Sequence, residues 1–143
     1  MAIEWNYEIM TTGSSEIDEE HKEWIRRFNQ FDDAVVNRQG VEVINDSLQF
    51  FLSYSNSHFP HEEVVMDQFK CPVAALNRAE HGRFRGKLLA LETWVRSEGP
   101  SLVEVIGLKG DMEQWLVNHI CKIDTQLRIV VNPIITPRTS SNS

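Results

Sequence analysis

The chain carries five histidines, His21, His58, His61, His81 and His119. Four of them fall on stripes of apolar residues. At ~100° per residue on an α-helix, His21 lies in line with Ile17, Ile25 and Phe28, and His58 with Phe51, Leu52 and Val65. His81 lies in line with Phe84 and Leu88, and His119 with Met112, Leu116 and Ile123. Burying an imidazole costs free energy unless its nitrogens find partners. One such residue is ordinarily a satisfied core histidine, but four, one on each of four helices, share a simpler explanation: they converge on an ion that binds nitrogen. Two carboxylates join them. Glu62 follows His58 by four residues and projects from the same helix face, whereas Asp124 follows His119 by five. That second offset is ~140° on an ideal helix and places the pair on opposite margins of the inward face, unless the helix departs locally from regularity. Imidazoles and carboxylates without thiolates suit a hard-to-borderline transition metal. A bare carboxylate in such a core would be prohibitive without a cation.

Other catalytic and metal signatures are missing. The residues three before the five histidines are Asp18, Ser55, His58, Arg78 and Leu116, so the Glu-x-x-His pairs of ferritin-like bundles do not occur. His61-Glu62 runs on into Glu63, Val64 and Val65, which breaks the zinc-protease spacing. His61 points ~60° away from His58 and is expected at the surface. Cys71 and Cys121 form no CxxC pair and read as reduced, semi-buried thiols. Asp18-Glu19-Glu20 suits a helix N-terminus electrostatically, with no second metal site required. Trp24, Trp94 and Trp115 read as packing residues, and Arg83 and Arg85 as solvated. With no nucleophile–base pair and no glycine-rich phosphate loop (Gly107 and Gly110 are too sparse), the sequence points to a binding domain and not to an enzyme.

Four helical segments must position these side chains. The first is expected from Asp18, a plausible N-cap, to about Arg38, with Gly40 as its stop. The second runs from about Val41 to Phe69 and ends near Cys71-Pro72, because proline disfavours helix in the residue before it. The third spans about Val73 to Ser97, with Leu76, Phe84, Leu88, Leu91 and Val95 as its stripe, and closes at Gly99-Pro100. The fourth opens on the capping-box pattern Ser101-Leu-Val-Glu104, with Asp111 as an alternative start, and continues to about Val131. Residues 1–17 read as an irregular arm. Short connections between long helices predict an all-α fold, an up-down-up-down antiparallel four-helix bundle, over residues 1–131. Residues 132–143, rich in Pro, Ser and Thr, read as a tail or as a linker toward a signalling domain.

At 143 residues the chain can bury a core without staples. Its formal charge of −7 argues against nucleic acid, which needs a basic face, and against anionic membrane surfaces. No apolar run nears the ~18–20 residues of a membrane span. The N-terminus shows no secretory signal, so a cytoplasmic location is expected.

The pieces Ile17-Asp18-Glu-Glu-His21-Lys22, His58-Phe59-Pro-His-Glu62-Glu63-Val-Val-Met66, His81-Gly-Arg-Phe84 and Trp115-Leu116-Val-Asn-His119-Ile120-Cys-Lys-Ile-Asp124, in this order, resemble the hemerythrins, and specifically bacterial hemerythrin domains. Trp5 matches the tryptophan usual in that family's N-terminal arm. The resemblance runs from about Trp5 to Val131. It implies two non-haem iron ions bridged by an oxo or hydroxo group. His21 and His58 would ligate one iron, His81 and His119 the other, and Glu62 and Asp124 would bridge them. Dioxygen or small anions would bind at the iron with fewer protein ligands. Leu116, Ile120 and Trp115 resemble the family's apolar pocket wall.

One ligand departs from that pattern. Where the third helix of the family carries His-x-x-x-His, this chain reads Asn77-Arg-Ala-Glu-His81. An amide oxygen is a far weaker ligand for iron than imidazole. Asn77 is therefore expected to coordinate feebly, to hydrogen-bond a water, or to leave a position open, the last being preferred. A missing imidazole implies ready oxidation and a sensor of oxygen or redox state. The alternatives are a reversible dioxygen carrier, an oxidase or peroxidase, and a bundle holding a single metal ion.

Overall fold

The computed structural model describes residues 2–37, 41–97 and 101–131. Arg38, Gly40, Gly99, Pro100 and the stretch 132–143 lie outside the described residues. The elements are α1 (Tyr7–Met10), α2 (Ser15–Val36), α3 (Val41–Gln68), α4 (Ala74–Ser97), α5 (Leu102–Lys122), a 3-10 turn (Asp124–Gln126) and α6 (Leu127–Val131). The four long helices form the expected four-helix bundle, and no strand occurs among the described residues. α3 packs against both α2 and α4, and α5 packs against α2. Among the described residues no helix is long and apolar enough to cross a membrane.

Local chemistry sets the ends of these helices. α2 begins three residues earlier than its apolar stripe implies, because Ser14 is its N-cap: the Ser14 hydroxyl accepts from the Ile17 amide at 3.3 Å. Asp18 is not the cap. It is buried inside the first turn and anchors the arm: the Thr11 hydroxyl donates to it at 2.6 Å, and the Thr12 amide and hydroxyl each donate at 2.8 Å. The arm is accordingly less irregular than composition implies. It contains the short α1, capped by Asn6, whose side chain accepts from the Glu8 amide. It then turns at Gly13, where φ is +81° and a Cβ would lie 3.1 Å from the Arg128 backbone. Only glycine combines that left-handed conformation with so close an approach.

At Ser101 the capping box is complete, with the Ser101 hydroxyl accepting from the Glu104 amide and the Glu104 carboxylate from the Ser101 amide. α5 then runs unbroken through Gly107, Gly110 and Asp111, so Asp111 starts no helix. It does stop earlier than expected, at Lys122, before the 3-10 turn. Between the helices, Trp24, Phe28, Phe31, Leu48, Phe51, Leu88 and Ile120 are fully buried. Leu76 is a correction: it is 48% exposed, and its neighbour Asn77 takes the inward position.

Candidate metal centre

Each long helix delivers one histidine to the middle of the bundle, and His21, His58, His81 and His119 are all 4% exposed or less. Their Nε2 atoms meet the carboxylates of Glu62 and Asp124, which are themselves buried. On one side, His21 Nε2 lies 2.9 Å from Glu62 Oε2 and 3.1 Å from Asp124 Oδ2, and His58 Nε2 lies 3.7 Å from Glu62 Oε2. On the other, His81 Nε2 is 3.1 Å from Glu62 Oε1, and His119 Nε2 is 3.1 Å from both Asp124 Oδ1 and His81 Nε2. Each carboxylate thus presents one oxygen to each histidine pair.

Asp124 reaches this position because α5 ends. The five-residue spacing from His119 would turn it aside on a regular helix, but the backbone departs from helical geometry at Ile123 (φ −108°, ψ −57°) and tightens into the 3-10 turn that starts at Asp124. This break ends the regular helical register, and Asp124 is placed with Oδ1 3.1 Å from His119 Nε2. The Thr125 hydroxyl donates to the Cys121 carbonyl at 2.8 Å and satisfies part of the exposed helix end.

Asn77 is wholly buried in the same cluster. Its Oδ1 faces His119 Nε2 at 2.7 Å, and its Nδ2 donates to Glu62 Oε1 at 3.1 Å. The amide therefore stands where a fifth imidazole would point, with its oxygen directed at the other donors.

Two residues outside the sequence-derived set complete the centre. Glu20 accepts from His58 Nδ1 at 2.6 Å and from His61 Nδ1 at 2.7 Å, and Glu63 accepts from His81 Nδ1 at 2.9 Å. His61 is partly exposed, as expected, but is tied to the centre through Glu20. A carboxylate can only accept, so it fixes the proton on Nδ1 and leaves Nε2 of His58 and His81 as the inward-facing atom. The signal for Glu20 was its place one residue before His21. Its partner, His58, is on another helix, and the register between helices is not written in either segment.

The donor chemistry fits a cation. Two donors each about 2.1 Å from one ion and at right angles stand about 3 Å apart, the spacing found here. Buried Asp124 Oδ1 makes no well-formed hydrogen bond, having only the contact with His119 Nε2 at 3.1 Å, and a cation would satisfy it. Titration tells the same story. Burial works against a charged His21, yet Asp124 and Glu62 overcome it and raise its pKa to about 10. His81 is raised against burial by Glu62. Glu62, although burial alone would raise it, is held well below the usual carboxylate range by His21 and His81. Protons therefore occupy the metal-free cluster where positive charge is needed. Among the described residues two groups of donors can hold a metal ion: Glu62, His81, His119 and Asp124, and His21, His58 and Glu62.

Aromatic rings enclose the cluster. Phe59 stacks on His81 at 3.9 Å and Trp115 on His119 at 4.4 Å. Beside the histidines lies a cavity of about 10 Å³, walled by Trp24, Phe59, Trp115, Leu116 and Ile120 together with His21, His58, His119 and Asp124. Trp115, Leu116 and Ile120 thus lie at the cavity beside the histidines. The volume matches one water-sized molecule.

The comparisons with known proteins agree with this geometry. The model of the hemerythrin HHE cation binding domain matches residues 12–128. A bacteriohemerythrin of Aquifex aeolicus is 27% identical over 82% of this chain and 88% of its own length. One from Pseudomonas aeruginosa is 30% identical over 78% of this chain and 70% of its own. A crystal structure of wild-type hemerythrin superposes with a TM-score of 0.80, at 23% identity, over 90% of this chain and 97% of that one. The order of the helices, the convergence of imidazoles and carboxylates at their centre, and the match over residues 12–128 lead to one assignment: the chain belongs to the hemerythrin family.

Proposed function

We propose that this domain holds two non-haem irons and responds to dioxygen or to redox state, as a sensor module and not as an oxygen store. In this reading His21 and His58 hold one iron and His81 and His119 the other, while Glu62 and Asp124 bridge them. Bound iron supplies one-electron redox chemistry and an exchangeable position for dioxygen or a small anion. The protein supplies the rest: Glu20 and Glu63 orient two imidazoles, the aromatic rings exclude bulk water, and the small cavity admits one small molecule.

The observation that carries the sensor reading is Asn77. Its amide replaces a strong neutral ligand with a weak one, and its Nδ2 hydrogen bond draws on an oxygen of Glu62. Both effects loosen the coordination on the His81–His119 side and leave room there for water or an anion, which favours oxidation over a long-lived oxygenated state. The carrier reading has one observation in its favour, the small cavity whose wall includes the apolar side chains of Leu116 and Ile120. The two are separated by Asn77→His. Restoring an imidazole should lengthen the oxygenated state, read by stopped-flow absorbance after mixing reduced protein with air. Equal lifetimes in the two proteins would remove Asn77 as the determinant and leave the carrier.

A further inference from the structure

α4 and α5 meet through their inward side chains, Phe84 against Trp115 at 4.1 Å and His81 against His119 at 4.9 Å. Outside these contacts lies a solvent-facing cleft of about 480 Å³ whose walls include Leu76, Lys87, Asn118 and Lys122. The small cavity beside the histidines is separate from it. Among the described residues, cleft and cavity share two lining side chains, Trp115 and His119. These are the stacked pair, with ring planes 11° apart. The partition between solvent and the buried cavity is therefore two rings thick at most.

Of these two rings Trp115 is the less constrained. His119 has its Nε2 committed to the donor cluster. Trp115 is only half-buried, lies at the cleft wall and is held by ring packing, against Phe84 at 4.1 Å and His119 at 4.4 Å. The other cleft that meets the cavity, about 270 Å³ between α3 and α4, shares Phe59 with it. That ring is 5% exposed and sits flat on His81 at 3.9 Å.

We propose that Trp115 is a gate, and that dioxygen, or another neutral molecule of that size, enters the cavity from the α4–α5 cleft when this indole swings aside. The inference rests on the dioxygen-responsive reading above. Passage then requires a side-chain rotation and not a breathing of the bundle, so entry is set by one residue.

Two measurements test it. In the full chain carrying Trp5→Phe and Trp94→Phe, loaded with redox-silent zinc, Trp115→Ala and Trp115→Phe each leave Trp24, which lines the cavity, as the sole indole. Dioxygen quenching of its emission should be several-fold stronger with Ala than with Phe. In the reduced iron protein, Asn118→Phe narrows the cleft and should slow dioxygen association by about one decade. Gly82→Phe fills the rival α3–α4 cleft, where a Cβ meets nothing within 4 Å, and should leave the rate unchanged. Equal quenching in the two Trp115 variants, or slowing by Gly82→Phe in place of Asn118→Phe, overturns the gate. A chain that takes up no metal fails the functional reading instead, and the Trp24 emission of the same variants still decides the gate.

Discussion

The buried centre joins seven polar side chains, Asn77 among them, that could not share a core without compensation. His21 shows how the compensation works. A lone buried imidazole would be neutral, but between Glu62 and Asp124 its pKa rises to about 10, so in the metal-free chain it is protonated at neutral pH. A metal ligand must be deprotonated. Loading the reduced protein with ferrous iron at pH 7 should therefore release protons, roughly one per chain from His21, and affinity should climb as pH rises toward 10. A pH-stat titration under argon reads both; loading without proton release would contradict the assigned protonation. Glu20 and Glu63 act one step further out, by holding Nδ1 of His58 and His81. Glu20→Gln or Glu63→Gln should weaken metal binding about tenfold to a hundredfold in chelator competition. Glu19→Gln, at an exposed residue paired with Lys22, should not change it.

The helices themselves were largely visible in the sequence, and where they were not the cause is local. The 3.6-residue stripes located all four, and the Ser101–Glu104 box fixed the start of α5. The stripe could not show that Ser14 outcompetes Asp18 as a cap, because both are good capping residues. Only the folded arm reveals that the Asp18 carboxylate is already engaged by Thr11 and Thr12. Nor could it show the break at Ile123, since Leu127 continues the apolar pattern across it. That break decides the site, because it converts a spacing unsuited to a shared ligand set into a convergent one. Gly107 and Gly110 lie in the first half of α5, yet the helix is continuous and a Cβ at either position meets nothing within 4 Å. Gly107→Ala and Gly110→Ala should each stabilise the protein by about 0.5–1 kcal/mol, measured by denaturant unfolding of the loaded form. Destabilisation would mean that these glycines are needed for a close approach.

At the scale of the bundle, aromatic rings surround the polar centre: Trp24 stacks on Phe59 and packs at a tilt against Phe84, which stacks on Trp115. The inward set of His21, His58, Glu62, His81, His119 and Asp124 could be read from the chain because each lies on its own helix's apolar face. The outer carboxylates and the α4–α5 cleft could not, because both depend on how neighbouring helices are set against each other. The central claim is that this fold carries a pair of irons despite Asn77. It is tested most directly by iron content per chain together with the optical spectrum of anaerobically reduced protein before and after air. Two irons per chain, passing quickly in air to an oxidised spectrum that removing oxygen does not reverse, is the predicted result. One iron or none would contradict the paired centre, and a long-lived spectrum reversed by removing oxygen would contradict the sensor.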